Sequence, residues 1–225
     1  MKERQYIQDF NFNINVLSKS DKEFLKTFCT GTNYPEKAIG EYLYSDEVFS
    51  DMETGDAVTY LVTHTDNTKE KEIVAYFSLA ASSLPYYFRD VDDEGNGYTT
   101  DILCGISAIK ITMFGVDVKY QNLFYKEGNE DKPIAAWIFE AIIGIIDEMA
   151  RNTMGIKAIY LHTLPRAKAF YCRNYMKPAG DYFHPLAECD DDLEVLYILI
   201  RKVQGLDQKY CLLYTSPSPR DGATS

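Results

Sequence analysis

Histidine and tryptophan are scarce in this chain, three and one among 225 residues. The five cysteines, at 29, 104, 172, 189 and 211, form no Cys-x-x-Cys pair and no zinc-ligand spacing. A structural zinc or a disulfide framework is therefore not expected, and scattered buried thiols in a reducing compartment are. His64 and His184 have no neighbours in sequence that suggest a metal set or a nucleophile relay. A Gly-x-Ser-x-Gly elbow, a P-loop and a paired-carboxylate signature are all missing, which removes the commonest hydrolase and nucleotide-phosphatase readings. Long apolar runs are missing too. The most apolar stretch, Ile134 to Ile146, is about half a membrane span and contains Glu140, so it reads as a buried helix. The chain does not open on a basic segment followed by an apolar one, so no secretory signal is expected and the cytoplasm is the expected compartment. Positive charge is in deficit: 23 Lys and Arg face 34 Asp and Glu, a net charge of −11. That balance predicts neither a nucleic-acid partner nor an anionic membrane, while a homodimer is allowed.

With 46% hydrophobic and 25% charged residues, the composition is that of a globular protein able to bury a substantial core. Phe10 to Leu17 alternates apolar residues with Asn11, Asn13 and Asn15, the period of a half-buried strand. Ser20 precedes Asp21, Glu23 and the apolar Phe24, Leu25 and Phe28, which predicts a capped helix ending at Gly31. A second helix is expected after Pro35, with a further turn from Asp46 to Met52. Ala57 to Thr65 and Glu72 to Ala80 read as the strands of an antiparallel hairpin. Pro85 to Asp101, rich in acids, reads as an exposed loop. Ile106 to Val116 is a long strand, Tyr120 to Lys132 is irregular, and Pro133 opens the main helix at its first-turn position. The wide apolar stripe of that helix, from Ile134 to about Arg151, predicts deep burial against a sheet. Leu193 to Val203 is a closing strand, with Tyr182 to Pro185 a short partner. No repeat or linker interrupts the chain, so one α+β domain over residues 1–210 is expected.

Residues 211–225 are set apart. Cys211 to Asp221 back-translate without mismatch as a transposon adapter of the kind used in sequencing libraries, so this tail is expected to be non-native.

The most informative segment runs from Ile156 to Pro178. A short strand-like run, Lys157 to Thr163, is followed by an amphipathic helix carrying an Ala-x-x-x-Tyr pair, Ala167 and Tyr171. With the apolar helix and strand upstream, that order resembles the cofactor half of the GCN5-related N-acetyltransferases (GNAT). The resemblance implies an acyl-CoA N-acyltransferase fold, a mixed and mostly antiparallel central sheet flanked by helices. It further implies acetyl-CoA as acetyl donor and a primary amine of a small molecule or protein as acceptor. Tyr171 would protonate the departing thiolate, a task suited to a phenol with an ordinary pKa of about 10. Phe114, Gly115 and Val116 match the strand end that pairs with the pantetheine arm, and Gln121 and Asn122 would receive the pyrophosphate. His162, on the strand before Tyr171, is one candidate base, with Tyr160 or a water relaying to a distant carboxylate as equal alternatives.

The sequence departs from the family in three places. The family's Gln/Arg-x-x-Gly-x-Gly/Ala loop is replaced by a longer segment, Gln121 to Pro133, with the single Gly128. Within it Glu127, Glu130 and Asp131 would repel phosphate, and Lys126 and Lys132 would offset them. Leu164 stands where the family often has Asn, and Asn174-Tyr175 take the place of a Gly-Phe pair. The alternative reading is a binding or regulatory domain that keeps the fold without turnover. A toxin-like acetyltransferase acting on charged tRNA would require a basic patch, against which the overall acidity counts.

Overall fold

The computed structural model describes residues 4–65, 71–91, 97–180 and 193–201. Its larger sheet has seven strands in the order β2-β3-β4-β5-β8-β10-β9, and a second sheet has three, in the order β1-β6-β7. The strands, in chain order, are β1 (Gln5–Tyr6), β2 (Phe12–Val16), β3 (Val58–Thr65), β4 (Lys71–Val91), β5 (Gly97–Val116), β6 (Leu123–Glu127), β7 (Glu130–Pro133), β8 (Ala158–Thr163), β9 (Lys177–Pro178) and β10 (Glu194–Leu199). The helices are α1 (Lys22–Leu25), α2 (Glu36–Tyr44), α3 (Asp46–Thr54), α4 (Ile134–Asn152) and α5 (Pro165–Arg173). Strands β2, β3 and β4 pair antiparallel, as do β8, β10 and β9. This is the expected α+β fold, a large and mostly antiparallel sheet flanked by helices. The chain divides into two compact units, Met1–Ala81 with Ile111–Ile142, and Ser82–Lys110 with Ile143–Ser225.

In the first unit, α2 and α3 cover β3 and β4. Their apolar faces bury Leu43 and Val48 completely, together with Leu25, Phe28, Leu61, Ile73 and Tyr76. The Asp21 carboxylate accepts the Ser18 N–H at 3.0 Å, closing a capping box before α1. The helix expected to run to Gly31 stops at Leu25. Beyond it, Cys29 and Thr30 turn toward the end of β5, where the Cys29 carbonyl accepts the Val118 N–H at 2.8 Å. In the second unit, Tyr160, Ala158, Tyr197 and Leu199 from β8 and β10 form a core with Leu84, Ile106 and Ala108.

Four expectations need correction here. The acidic loop does not begin at Pro85: β4 continues to Val91 and β5 starts at Gly97. Proline is excluded from a strand only where the ladder needs its N–H. Tyr120 to Lys132 is not irregular, because β6 and β7 form a hairpin with Glu127 opposite Glu130. Its two-residue loop is Gly128-Asn129, and Gly128 has a φ of 58°, as a primed hairpin turn requires. Pro133 is thus the last residue of β7, paired with Phe124, rather than the first of the helix. The cysteines among the described residues are not buried as expected either: Cys29 and Cys172 are exposed and Cys104 is half-buried. The expected partner strand Tyr182 to Pro185 and the tail 211–225 lie outside the described residues.

Candidate active site

The end of β5 brings Phe114, Gly115 and Val116 beside Gln121, all within the first unit. A turn follows the strand, and buried Asp117 organises it. The Asp117 carboxylate accepts the Cys29 N–H at 2.8 Å and the Lys119 N–H at 2.9 Å. The Asp117 N–H donates to the Val74 carbonyl at 2.9 Å, and Val74 is the extra residue of a bulge in β4. The Gln121 side-chain amide donates to the carbonyls of Thr30 and Val116, at 2.8 and 2.9 Å. Its amide therefore ties the strand end to the Thr30 turn, and the Val116 carbonyl is engaged inside the protein. Asn122 is exposed.

Gly115 has a steric reason of its own. A Cβ there would lie 2.8 Å from the Tyr76 ring, 3.0 Å from the Thr30 methyl and 3.1 Å from the Ile39 methyl. Tyr76 is fully buried, packed edge-on to Phe28 and bonded through its hydroxyl to the Ile39 carbonyl, so it cannot swing away. Gly115→Ala is expected to lower stability by about 1–3 kcal/mol, read as a lower urea midpoint at constant slope. An unchanged midpoint would mean that the ring yields.

In the hairpin before α4, the charge of Lys132 is consumed within the protein. Lys132 Nζ lies 2.8 and 2.9 Å from the two Glu140 carboxylate oxygens and 2.6 Å from Glu130, and it sits 4.7 Å from the centre of the Trp137 ring. Glu130 and then Glu140 raise its pKa well above the ordinary lysine value. Asp131 is taken by Arg4 at 3.0 Å and by the Tyr6 hydroxyl at 3.0 Å, which fastens β1 to β7. Trp137 donates to the Tyr125 carbonyl at 3.2 Å, tying the helix start to the hairpin. Where a glycine-rich phosphate loop would stand, there is a compact hairpin in which Lys132 is spent on carboxylates.

In the second unit, β8 and α5 carry the remaining candidates. Pro165 sits in the first turn of α5 after an extended Leu164, and Ala167 donates to the Leu164 carbonyl at 2.9 Å. Tyr171 lies on this helix with its ring edge-on to Phe170, 5.1 Å between centroids. Burial pushes its phenol well above the ordinary tyrosine pKa, so it stays protonated through neutral and mildly alkaline pH. His162 is half-buried on β8 opposite Val195. Burial, and then the Lys110 charge, lower its pKa, so the imidazole is neutral at physiological pH and able to accept a proton. Tyr160 is buried and bonded to Ser82 at 2.6 Å.

Sequence reasoning missed the distribution of charge. From Met149 to Gly180 the chain has no Asp or Glu but carries Arg151, Lys157, Arg166, Lys168, Arg173 and Lys177. The remaining 17 basic residues face all 34 acidic ones. Arg166, Arg173 and Lys177 are exposed around α5, while Lys168 pairs with Glu194. The signal lay in the sequence, hidden by summing charge over the whole chain.

No family model matches the chain and no curated protein is similar to it in sequence. Solved structures share its fold. One is the AtaT toxin with a tyrosine changed to phenylalanine, 14% identical, covering 88% of this chain and 95% of its own at a TM-score of 0.58. Another is KacT with a similar substitution, 12% identical, covering 84% and 94% at 0.57. A third is AtaT complexed with acetyl-methionyl-tRNAfMet, 12% identical, covering 84% and 95% at 0.55. The mutant AtaT has also been solved with acetyl-CoA and the C-terminus of its antitoxin AtaR, and KacTA has been solved with DNA. These complexes overturn the exclusion of nucleic acid drawn from net charge, because the same fold binds tRNA in one neighbour and meets DNA in another assembly. The chain has the fold of the GNAT acetyltransferase toxins.

Proposed function

We propose that this protein is an acetyl-CoA-dependent N-acetyltransferase whose acceptor is the amino group of an aminoacyl-tRNA. The observation that carries the chemistry is Tyr171, a phenol held protonated by burial on the helix after β8. Bound acetyl-CoA would supply an activated acetyl group as a thioester. In this reading the end of β5 at Phe114–Val116 lies along the pantetheine arm, and Gln121 and Asn122 flank its diphosphate end. The Val116 carbonyl already accepts the Gln121 side-chain amide. Neutral His162 takes a proton from the acceptor ammonium, directly or through water; the free amine then attacks the thioester carbonyl, its nitrogen gives up a second proton to solvent, and Tyr171 delivers a proton to the thiolate as the C–S bond breaks. Its phenolate is then reprotonated from solvent.

The acid-free segment supports tRNA over the other primary amines, those of small molecules and proteins. A polyanionic acceptor needs local cations, and α5 presents them in a chain that is acidic elsewhere. The solved complex of AtaT with an acetylated aminoacyl-tRNA supports the same acceptor. Incubating the protein with labelled acetyl-CoA and charged tRNA, and separately with free amines and peptides, tests it. Label is expected on the aminoacyl group, with transfer falling steeply as salt rises. Label on free amines or peptides alone would overturn the tRNA acceptor.

The rewritten phosphate hairpin favours a second reading, a domain that keeps this fold without turnover. Lys132 is committed to Glu130 and Glu140, so the diphosphate loses a cation. Calorimetry separates the two: no heat with millimolar acetyl-CoA would favour the binding domain.

A further inference from the structure

Among the described residues, Tyr175 is the one non-glycine residue in the left-handed region, with a φ of 75°. A β-carbon makes that conformation unfavourable, and glycine adopts it freely. The position is the turn that ends α5. The Asn174 N–H donates to the carbonyls of Phe170 and Tyr171, and the Met176 N–H donates to Tyr171 at 3.1 Å. The Asn174 side-chain amide adds a bond to the Phe170 carbonyl at 2.8 Å. These bonds satisfy the last helix carbonyls and hold residue 175 in place, as a helix-ending glycine would be held. The side chain does not offset the strain by burial, since Tyr175 is 49% exposed. In sequence it lies between Arg173 and Lys177, both exposed, inside the 32-residue stretch that lacks acids.

We infer that Tyr175 is a stacking platform for an unpaired nucleobase, with Arg173 receiving a flanking phosphate. An exposed ring beside cations is the combination that binds single-stranded nucleic acid, because every base has a face to stack and every nucleotide a phosphate to neutralise. Strain kept at an exposed aromatic, where glycine would relax it, marks a residue retained for its surface. This inference rests on the aminoacyl-tRNA reading, whose 3′ end is unpaired, and it specifies which part of the acceptor the protein grips.

The test is fluorescence anisotropy with two labelled RNA hairpins, one with an unpaired 3′ tail and one blunt, alongside thermal melting. The protein is expected to prefer the tailed hairpin, and Tyr175→Phe to keep that preference. Tyr175→Gly and Tyr175→Ala are expected to weaken tailed binding by roughly 5- to 100-fold, the worth of one stacked base. Tyr175→Gly should melt at or above the wild-type temperature, because it relaxes the turn. Equal binding of the tailed RNA by wild type and Tyr175→Gly would overturn the platform, as would a wild type that ignores the tail. A Tyr175→Gly protein that melts well below wild type would make the residue structural and overturn it too. Failure of acetyl transfer to every amine, with tail binding intact and lost in Tyr175→Gly, would fell the transferase reading and leave the platform standing.

Discussion

Replacing Tyr171 with phenylalanine is expected to lower kcat for acetyl transfer by a factor of about 10²–10⁴, the usual loss when a positioned proton donor is removed. The KM for acetyl-CoA should barely move, because the hydroxyl matters when charge develops on sulfur and not before. Folding should also survive, since the ring keeps its edge-on contact with Phe170. The pH profile supplies an independent check. Burial raises the Tyr171 pKa above the ordinary phenol value of about 10. The acid form is the one that works, so its activity persists as pH rises through the ordinary range and fails only above the raised pKa. His162 acts in the opposite sense: burial and Lys110 lower its pKa, and the base form works, so the acid limb should fall below the ordinary histidine value of about 6.5. An alkaline limb centred below 10 that vanishes in Tyr171→Phe would contradict the burial argument. Equal rates in the two proteins would remove Tyr171 from the chemistry.

The strand and helix that carry Tyr171 could be found from sequence because their evidence is local. A strand of period two, a proline in the first helical turn and an Ala-x-x-x-Tyr spacing all fall within twenty-odd residues, and β8 and α5 form where that pattern puts them. The stripe of α4 and the alternation of β2 were legible for the same reason. Gln121 was not. Its amide is claimed by the Thr30 carbonyl, 91 positions away, and no local pattern reports such a partner. Gly115 has a reason that is equally non-local: its absent Cβ makes room for the Tyr76 ring. The β6–β7 hairpin could have been found. Gly128-Asn129 between two short runs is a two-residue turn signal, but the surrounding charges were read as loop. Those charges lie on sheet strands and are paired, Lys132 with Glu130 inside the hairpin and Asp131 with Arg4 just before β1.

The largest stability loss is expected from Asp117→Ala. Two backbone donors, on Cys29 and Lys119, are held by its carboxylate at 2.8 and 2.9 Å, and hydrogen bonds to a charged acceptor contribute about 1.5–3 kcal/mol each. The side chain is almost wholly buried, so its removal also leaves a small void. Because the partial exposure of its partners lets water replace part of the loss, a total near 2–4 kcal/mol is expected, measured as a drop in the urea midpoint. Asp117→Asn separates charge from shape. Its single carbonyl oxygen can serve one N–H, while its NH₂ group must face the other donor, so it should recover less than half of the difference. The consequence reaches the proposed cofactor rail, since Asp117 and Gln121 together fix the Cys29–Thr30 turn against the end of β5. In conditions where both variants remain folded, the Kd for acetyl-CoA should rise in Asp117→Ala and in Gln121→Ala, although only the first removes a buried charge. Unchanged affinity in both, with the expected loss of stability in Asp117→Ala, would show that the strand end is scaffold and that the cofactor is held elsewhere.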